Sequence, residues 1–137
     1  MKKYTPLFLF LFSGSVFSAG DPPVKVEPLV KTTRSWDGAT LPSYDEGQPE
    51  ITILKITVQP NVELPWHTHP IINAGIMTKG TLTVMTKSGE ELELVAGETI
   101  VEVVDKIHRG INKGSEPAEI IVFYAGVEKT PLSVKTE

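Results

Sequence analysis

The chain has 137 residues, enough for one ordinary domain and too few for two. It holds no cysteine, which excludes a disulfide framework, a thiolate zinc or iron–sulfur site, a cysteine nucleophile and a bacterial lipoprotein anchor. Apolar residues are 40%, charged residues 22% and the net charge is −4, which describes a globular chain without a sequence-independent grip on nucleic acid.

The first segment reads as an address and not as part of the fold. Met1-Lys2-Lys3 is a short basic start, Tyr4 to Phe17 is mostly apolar, and Ser18-Ala19-Gly20 are small. That is the layout of a secretory signal peptide, and the apolar run is shorter than the roughly 20 residues that span a bilayer. Residues 1–18 are therefore expected to be cleaved, after Ser18 or, as second position, after Ala19, leaving no stable membrane anchor. Cleavage removes Lys2, Lys3 and four of the five Phe, so 11 basic residues face 17 acidic ones, a net charge of −6. The expected product is a small acidic exported protein, periplasmic or secreted, that needs no oxidative folding.

Residues 19–49 are rich in Pro, Gly and charge and are expected to form an N-terminal arm, with room for one or two short strands between Val24 and Thr33. The regular part follows in residues 50–127. Ile51 to Val58 is β-branched and reads as a strand, broken by Gln59-Pro60-Asn61. Val62 to His69 is extended, because Pro65 and Pro70 exclude a helix interior. Ile71 to Thr78 is an apolar run ended by Lys79-Gly80. Thr81 to Thr86 and Glu91 to Val95 are strands joined by a hairpin turn at Lys87-Ser88-Gly89-Glu90. Thr99 to Val104, Ile107 to Asn112 and Ala118 to Ala125 follow as further extended segments. Residues 128–137 read as a tail or an edge. No window carries a helical stripe bounded by caps, so the expected fold is all-β, a sandwich or barrel. Its core is small enough that a homodimer is expected to help.

The chain has three His, and their placement is the strongest functional signal. His67 and His69 are two apart, which on a strand turns both imidazoles to one face, roughly 7 Å apart along the chain. His108 lies on a later strand, and a barrel can bring it across the lumen to the pair. Three imidazoles would suit iron, copper, zinc or nickel and leave positions open for water or substrate. Glu102 stands in the apolar run Thr99-Ile100-Val101-Glu102-Val103-Val104. A charge there is costly unless it is paired, ligated or turned outward. Two readings stay open: a solvent-facing residue, or a ligand or general base inside the barrel. Arg109 alternates away from His108, Trp66 is expected to pack beneath the site, and one of Phe123 and Tyr124 lines it.

Two stretches carry a family resemblance. His67-Thr68-His69, then Asn73, then Gly80 resembles the first motif of the cupins, His-x-His, three or four residues, Glu, six residues, Gly. Gly97 through His108 to Asn112 resembles the second, which opens on Gly and ends His-x-x-x-Asn. The likeness covers Glu50 to Val127. The ending Val122-Phe123-Tyr124-Ala125-Gly126 and the export signal are similar to those of small exported single-domain cupins. The resemblance implies a jelly-roll β-barrel with a divalent metal inside it, iron, manganese, nickel, copper or zinc. By position its ligands would be His67, His69, Asn73 and His108. The sequence departs from the pattern twice: Asn73 replaces the Glu, and Val103-Val104-Asp105 stands where Pro-x-Gly is usual. Three readings of that loss stay open: a three-His site, as in some cupin dioxygenases; weak ligation through the Asn73 carbonyl oxygen; or a carboxylate from elsewhere, for which Glu102 is the candidate, as ligand or as catalytic base.

Two functions are open at this point. One is a metal-dependent enzyme acting on a small molecule, with dioxygenase-like or isomerase-like chemistry or hydrolysis. The other is a non-catalytic module that binds a metal or a small ligand. Neither involves nucleic acid.

Overall fold

A computed structural model describes Gly20 and residues 22–136. The segment read as an export signal lies outside the described residues. The described residues form nine strands and no helix: β1 (Pro49–Val58), β2 (His67–Thr68), β3 (Ile72–Lys79), β4 (Thr81–Thr86), β5 (Glu91–Val95), β6 (Thr99–Val101), β7 (His108–Ile111), β8 (Ala118–Val127) and β9 (Val134–Lys135). One sheet runs β1-β8-β3-β6 and the other β5-β4-β7-β2-β9. Every pairing is antiparallel. The fold is all-β, as the residue pattern implied.

The two sheets close on each other because the strands alternate. On β8, Ala118, Ile120, Val122 and Tyr124 are buried while Phe123 is 47% exposed. Met77 of β3 and Ile100 of β6 join them from the same sheet; Leu82 and Val84 of β4 and Leu94 of β5 come from the other. Each such large apolar side chain contributes roughly 1.5–3 kcal/mol on burial. Ile51 and Ile53 of β1 alternate to the outer face and stay exposed. Gly80 separates β3 from β4: its φ is +68°, and a Cβ there would sit 2.7 Å from the Pro117 carbonyl oxygen, so only glycine fits.

Asn112 fastens the end of β7 away from His108 to the rest. It is fully buried. Its Nδ2 donates to the carbonyls of Val58 (2.9 Å) and Glu116 (2.8 Å), and its Oδ1 accepts from the Gly114 N–H (2.9 Å). One amide thus satisfies three backbone groups.

Three local expectations change. The stretch from Val24 to Thr33 forms no strand; Pro28 in its middle removes a backbone donor and restricts the residue before it. The arm instead docks through the loop after Arg34, where the Trp36 N–H donates to the Val101 carbonyl at 2.9 Å. β6 ends at Val101 and not at Val104, since Asp105 turns the chain at φ 55°. Within residues 128–137, β9 pairs with β2 as the edge of its sheet.

Candidate metal centre

The site is built on the shortest strands. Pro65 and Pro70 lack backbone donors, so β2 is confined to two residues between them. It is held from both sides. His67 pairs with His108 of β7, and His67 and Thr68 pair with Lys135 and Val134 of β9. The Thr136 N–H adds a bond to the Trp66 carbonyl at 3.0 Å. His67 and His108 are therefore direct cross-strand partners, with ring centroids 4.5 Å apart. The expectation that His108 reaches the pair from across the lumen is corrected: it comes from the adjacent strand. His69 lies 4.9 Å from each of the other two rings.

Each imidazole is oriented by a backbone carbonyl. The His67 Nδ1–H donates to Pro65 (2.8 Å), His69 Nδ1–H to Leu132 (2.7 Å) and His108 Nδ1–H to Lys106 (2.8 Å). A carbonyl only accepts, so each Nδ1 carries the hydrogen and each neutral ring presents an Nε2 lone pair. One ring nitrogen from each of the three lies within 4.8 Å of the others. The His108 Nε2 is buried without a hydrogen-bond partner. Burial pushes all three pKa values below the usual 6.5, that of His69 to about 4. At neutral pH the rings are uncharged and ready to ligate.

The supporting contacts reach far along the chain. Lys106, whose carbonyl aims His108, is tied by its Nζ to Asp37 of the arm (2.9 Å) and to Glu90 of the hairpin (2.8 Å). Leu132, whose carbonyl aims His69, packs its side chain against the core. Neither carbonyl was among the residues read from the sequence, because an acceptor on the main chain has no residue type to give it away.

Asn73 and Glu102 face the rings from the other sheet. The register of β3 against β6 pairs Ala74 with Val101, which sets Asn73 opposite Glu102, and the Glu102 N–H donates to the Asn73 carbonyl at 3.1 Å. Asn73 is 1% exposed. The Glu102 side chain is 13% exposed, and its Oε2 lies 3.7 Å from the His108 Nε2. So Glu102 turns inward, and the solvent-facing reading is excluded. Asn73 Oδ1 and Glu102 Oε2 are both buried without a partner. Burial raises the Glu102 pKa to about 7, against the pull of His67 and of the Trp36 indole N–H nearby, although no well-formed hydrogen bond joins that indole to it.

That shift has a signed consequence in the metal-free protein. The folded pKa, about 7, exceeds the ordinary 4.5, so the folded state holds the Glu102 proton more tightly than the unfolded chain. Its stability is lost as pH rises through 7. Glu102→Gln removes this penalty. Metal-free E102Q is expected to be more stable than wild type by up to about 3 kcal/mol near pH 8, the difference fading toward pH 4.5. Urea unfolding of both proteins across that range checks it, and a pH-independent difference would count against a buried ionisable Glu102.

The remaining residues fall as follows. Tyr124 lines the cavity, its ring 5.6 Å from His69, while Phe123 points out. Arg109 points away from the rings, pairs with Glu63 at 2.6 Å and stacks over Trp66 at 4.4 Å. Trp66 thus seats cations beside β2. The cavity between the sheets is about 70 Å³, well under the roughly 300 Å³ of an ordinary ligand pocket. Its walls are apolar apart from the three His, Asn73, Glu102 and Tyr124, and no Lys or Arg lines it among the described residues.

Comparison with known proteins bears on the fold. The chain is similar to the structures of the DMSP lyase DddQ from Ruegeria pomeroyi DSS-3 (16% identity, TM-score 0.56, 63% of this chain and 43% of that one) and of an oxalate oxidase with glycolate (23%, 0.54, 63% and 46%). It is also similar to the polyketide cyclase RemF from Streptomyces resistomycificus (16%, 0.55, 66% and 63%). It spans less than two thirds of each of these proteins, so they speak to the barrel alone. No curated protein matches it. The family model described as a cupin domain matches residues 54–124. That segment opens within β1, closes within β8 and makes up more than half of the chain, which therefore belongs to the cupin family.

Proposed function

We propose that His67, His69 and His108 hold one divalent metal ion, of iron, manganese, nickel, copper or zinc, and that the centre acts on a small molecule with dioxygenase-like or isomerase-like chemistry. The observation that carries this reading is the fixed tautomer of all three rings. Three backbone carbonyls occupy the Nδ1 sides, so each ring presents its Nε2 lone pair to the cavity, and that of His108 is buried with no partner in the chain. Metal-ligating histidines are commonly oriented this way from behind. The donor chemistry suits such an ion, the ring nitrogens closing from separations of up to 4.8 Å to about 4.2 Å to share it, and a divalent cation bound there would supply Lewis acidity at its open positions.

The chain's own part is to select and position. A cavity of about 70 Å³ with aliphatic walls admits only a few non-hydrogen atoms. With no cationic side chain in the lining, a phosphate or a second carboxylate on the ligand finds no protein counter-charge. The supported ligand is thus a small molecule with one polar end, its body against Val58, Leu64 and Leu82. The leader-like residues 1–18 support an exported location, periplasmic or secreted.

The test is metal uptake. Metal-free mature protein, dialysed against each of the five ions and then against buffer, is expected to retain close to one equivalent of at least one of them by elemental analysis. Retention of none would overturn the reading. The small cavity favours one second reading, a metal-binding module without turnover. It would show as full metal occupancy with no oxygen uptake and no conversion of small hydroxy or keto compounds.

A further inference from the structure

The contact between Glu102 and His108 is unusual for what it lacks. The His108 Nδ1–H is spent on the Lys106 carbonyl, so in the neutral ring its Nε2 is an acceptor. The atom facing it, Glu102 Oε2, is an acceptor too when ionised. They lie 3.7 Å apart, buried, and neither has a hydrogen-bond partner. Two facing lone pairs in a dry site repel unless a positive species sits between them. An ion about 2.1 Å from each donor atom spans any separation up to about 4.2 Å.

We propose that Glu102 is the fourth protein ligand of the metal centre, supplied by the residue just past β6 and opposite the three imidazoles. The assignment rests on the three-His reading above and adds a charge to it. Three neutral rings and one carboxylate would leave a divalent ion with a single positive charge. It also explains why the buried neighbour of Glu102 can be neutral. Asn73 sits directly across from it in the β3–β6 register, and directly opposed residues in an antiparallel pair share one face. A carboxylate at either position reaches the same side of the pocket, and one is enough. As a ligand, Glu102 is not a free general base.

The experiment is Co(II) titration of the metal-free mature protein, followed by its visible absorption, for wild type, Glu102→Gln and the double variant Glu102→Gln/Asn73→Glu. Glu102→Gln is expected to weaken Co(II) binding by at least about tenfold, the loss seen when even an outer partner of a metal ligand is removed, and to shift the absorption bands. The double variant is expected to regain most of that affinity, because the carboxylate returns from the neighbouring strand. Folding of each variant is checked by its metal-free thermal transition. Unchanged affinity and unchanged bands in Glu102→Gln would overturn the assignment. So would weaker binding with unchanged bands, which would mean that Glu102 acts through its charge and not as a ligand. Failure of wild type itself to bind Co(II) would instead remove the three-His reading, so the two failures are distinguishable.

Discussion

Replacing His67 and His69 together by alanine is expected to abolish stoichiometric metal retention. A four-ligand structural zinc site in a peptide is worth about 10–16 kcal/mol, or roughly 3 kcal/mol per ligand. Losing two imidazoles then weakens binding about 10⁴-fold. The two positions differ in what else they do. His67 is half-buried, and the carbonyl it holds, that of Pro65, is two residues away. His69 is 5% exposed and joins β2 to the C-terminal segment through Leu132. His67→Ala alone is therefore the cleaner arm: its metal-free thermal transition is expected to stay close to wild type while binding drops about 100-fold. His69→Ala is expected to lose about 1–3 kcal/mol of stability as well, since it leaves the Leu132 carbonyl unpaired. Elemental analysis and thermal unfolding of the three variants separate the two effects. A double variant that keeps one equivalent of metal would rule out this centre.

The parts of the fold legible in the sequence are those in which local pattern and tertiary burial agree. Thr81–Thr86 and Glu91–Val95 are the clearest: β-branched or alternating residues on either side of a Gly-tipped turn, with no competing signal, and the structure has both strands at those bounds. The three His were legible because a metal needs particular residue types. What could not be read depends on pairing. His67 and His108 lie on adjacent strands, and nothing local to either says which strand will be its neighbour. The direction of Glu102 was hidden for another reason. Alternation tells an inner from an outer face only when one face is wet. Around Glu102, Ile100, Val101 and Val103 are all buried, because the arm docks against the Val101 backbone. With both faces dry, period two carries no information. The arm's expected strands failed on the opposite count: suitable side chains in a stretch interrupted by Pro28, which removes a donor a ladder needs.

The C-terminal segment shows how much of the site is held by residues that have no chemistry of their own. Removing Pro131 to Glu137 is expected to weaken metal binding by about 10–100-fold, although it deletes none of the candidate ligands. Three contacts go at once. The Leu132 carbonyl leaves the His69 Nδ1–H, β9 leaves the free edge of β2, and the Thr136 N–H leaves the Trp66 carbonyl. With β9 gone, β2 keeps only its pairing to β7, at His67. A two-residue strand flanked by prolines has little local reason to stay extended without that second neighbour. His69 then loses both its tautomer lock and its ring orientation, and its Nε2 no longer points reliably at the other two. The half-buried Leu132 side chain also leaves the edge of the core, which costs at most about 1.5–3 kcal/mol, the range for full burial. The two losses are separable. Leu132→Ala shortens the side chain but keeps the backbone carbonyl in place, so it is expected to lower the thermal transition while leaving the metal affinity nearly unchanged. Co(II) titration of the truncated protein and of Leu132→Ala reads the difference. If the truncated protein binds the ion as tightly as wild type, β9 is a stabilising edge and has no part in aiming His69.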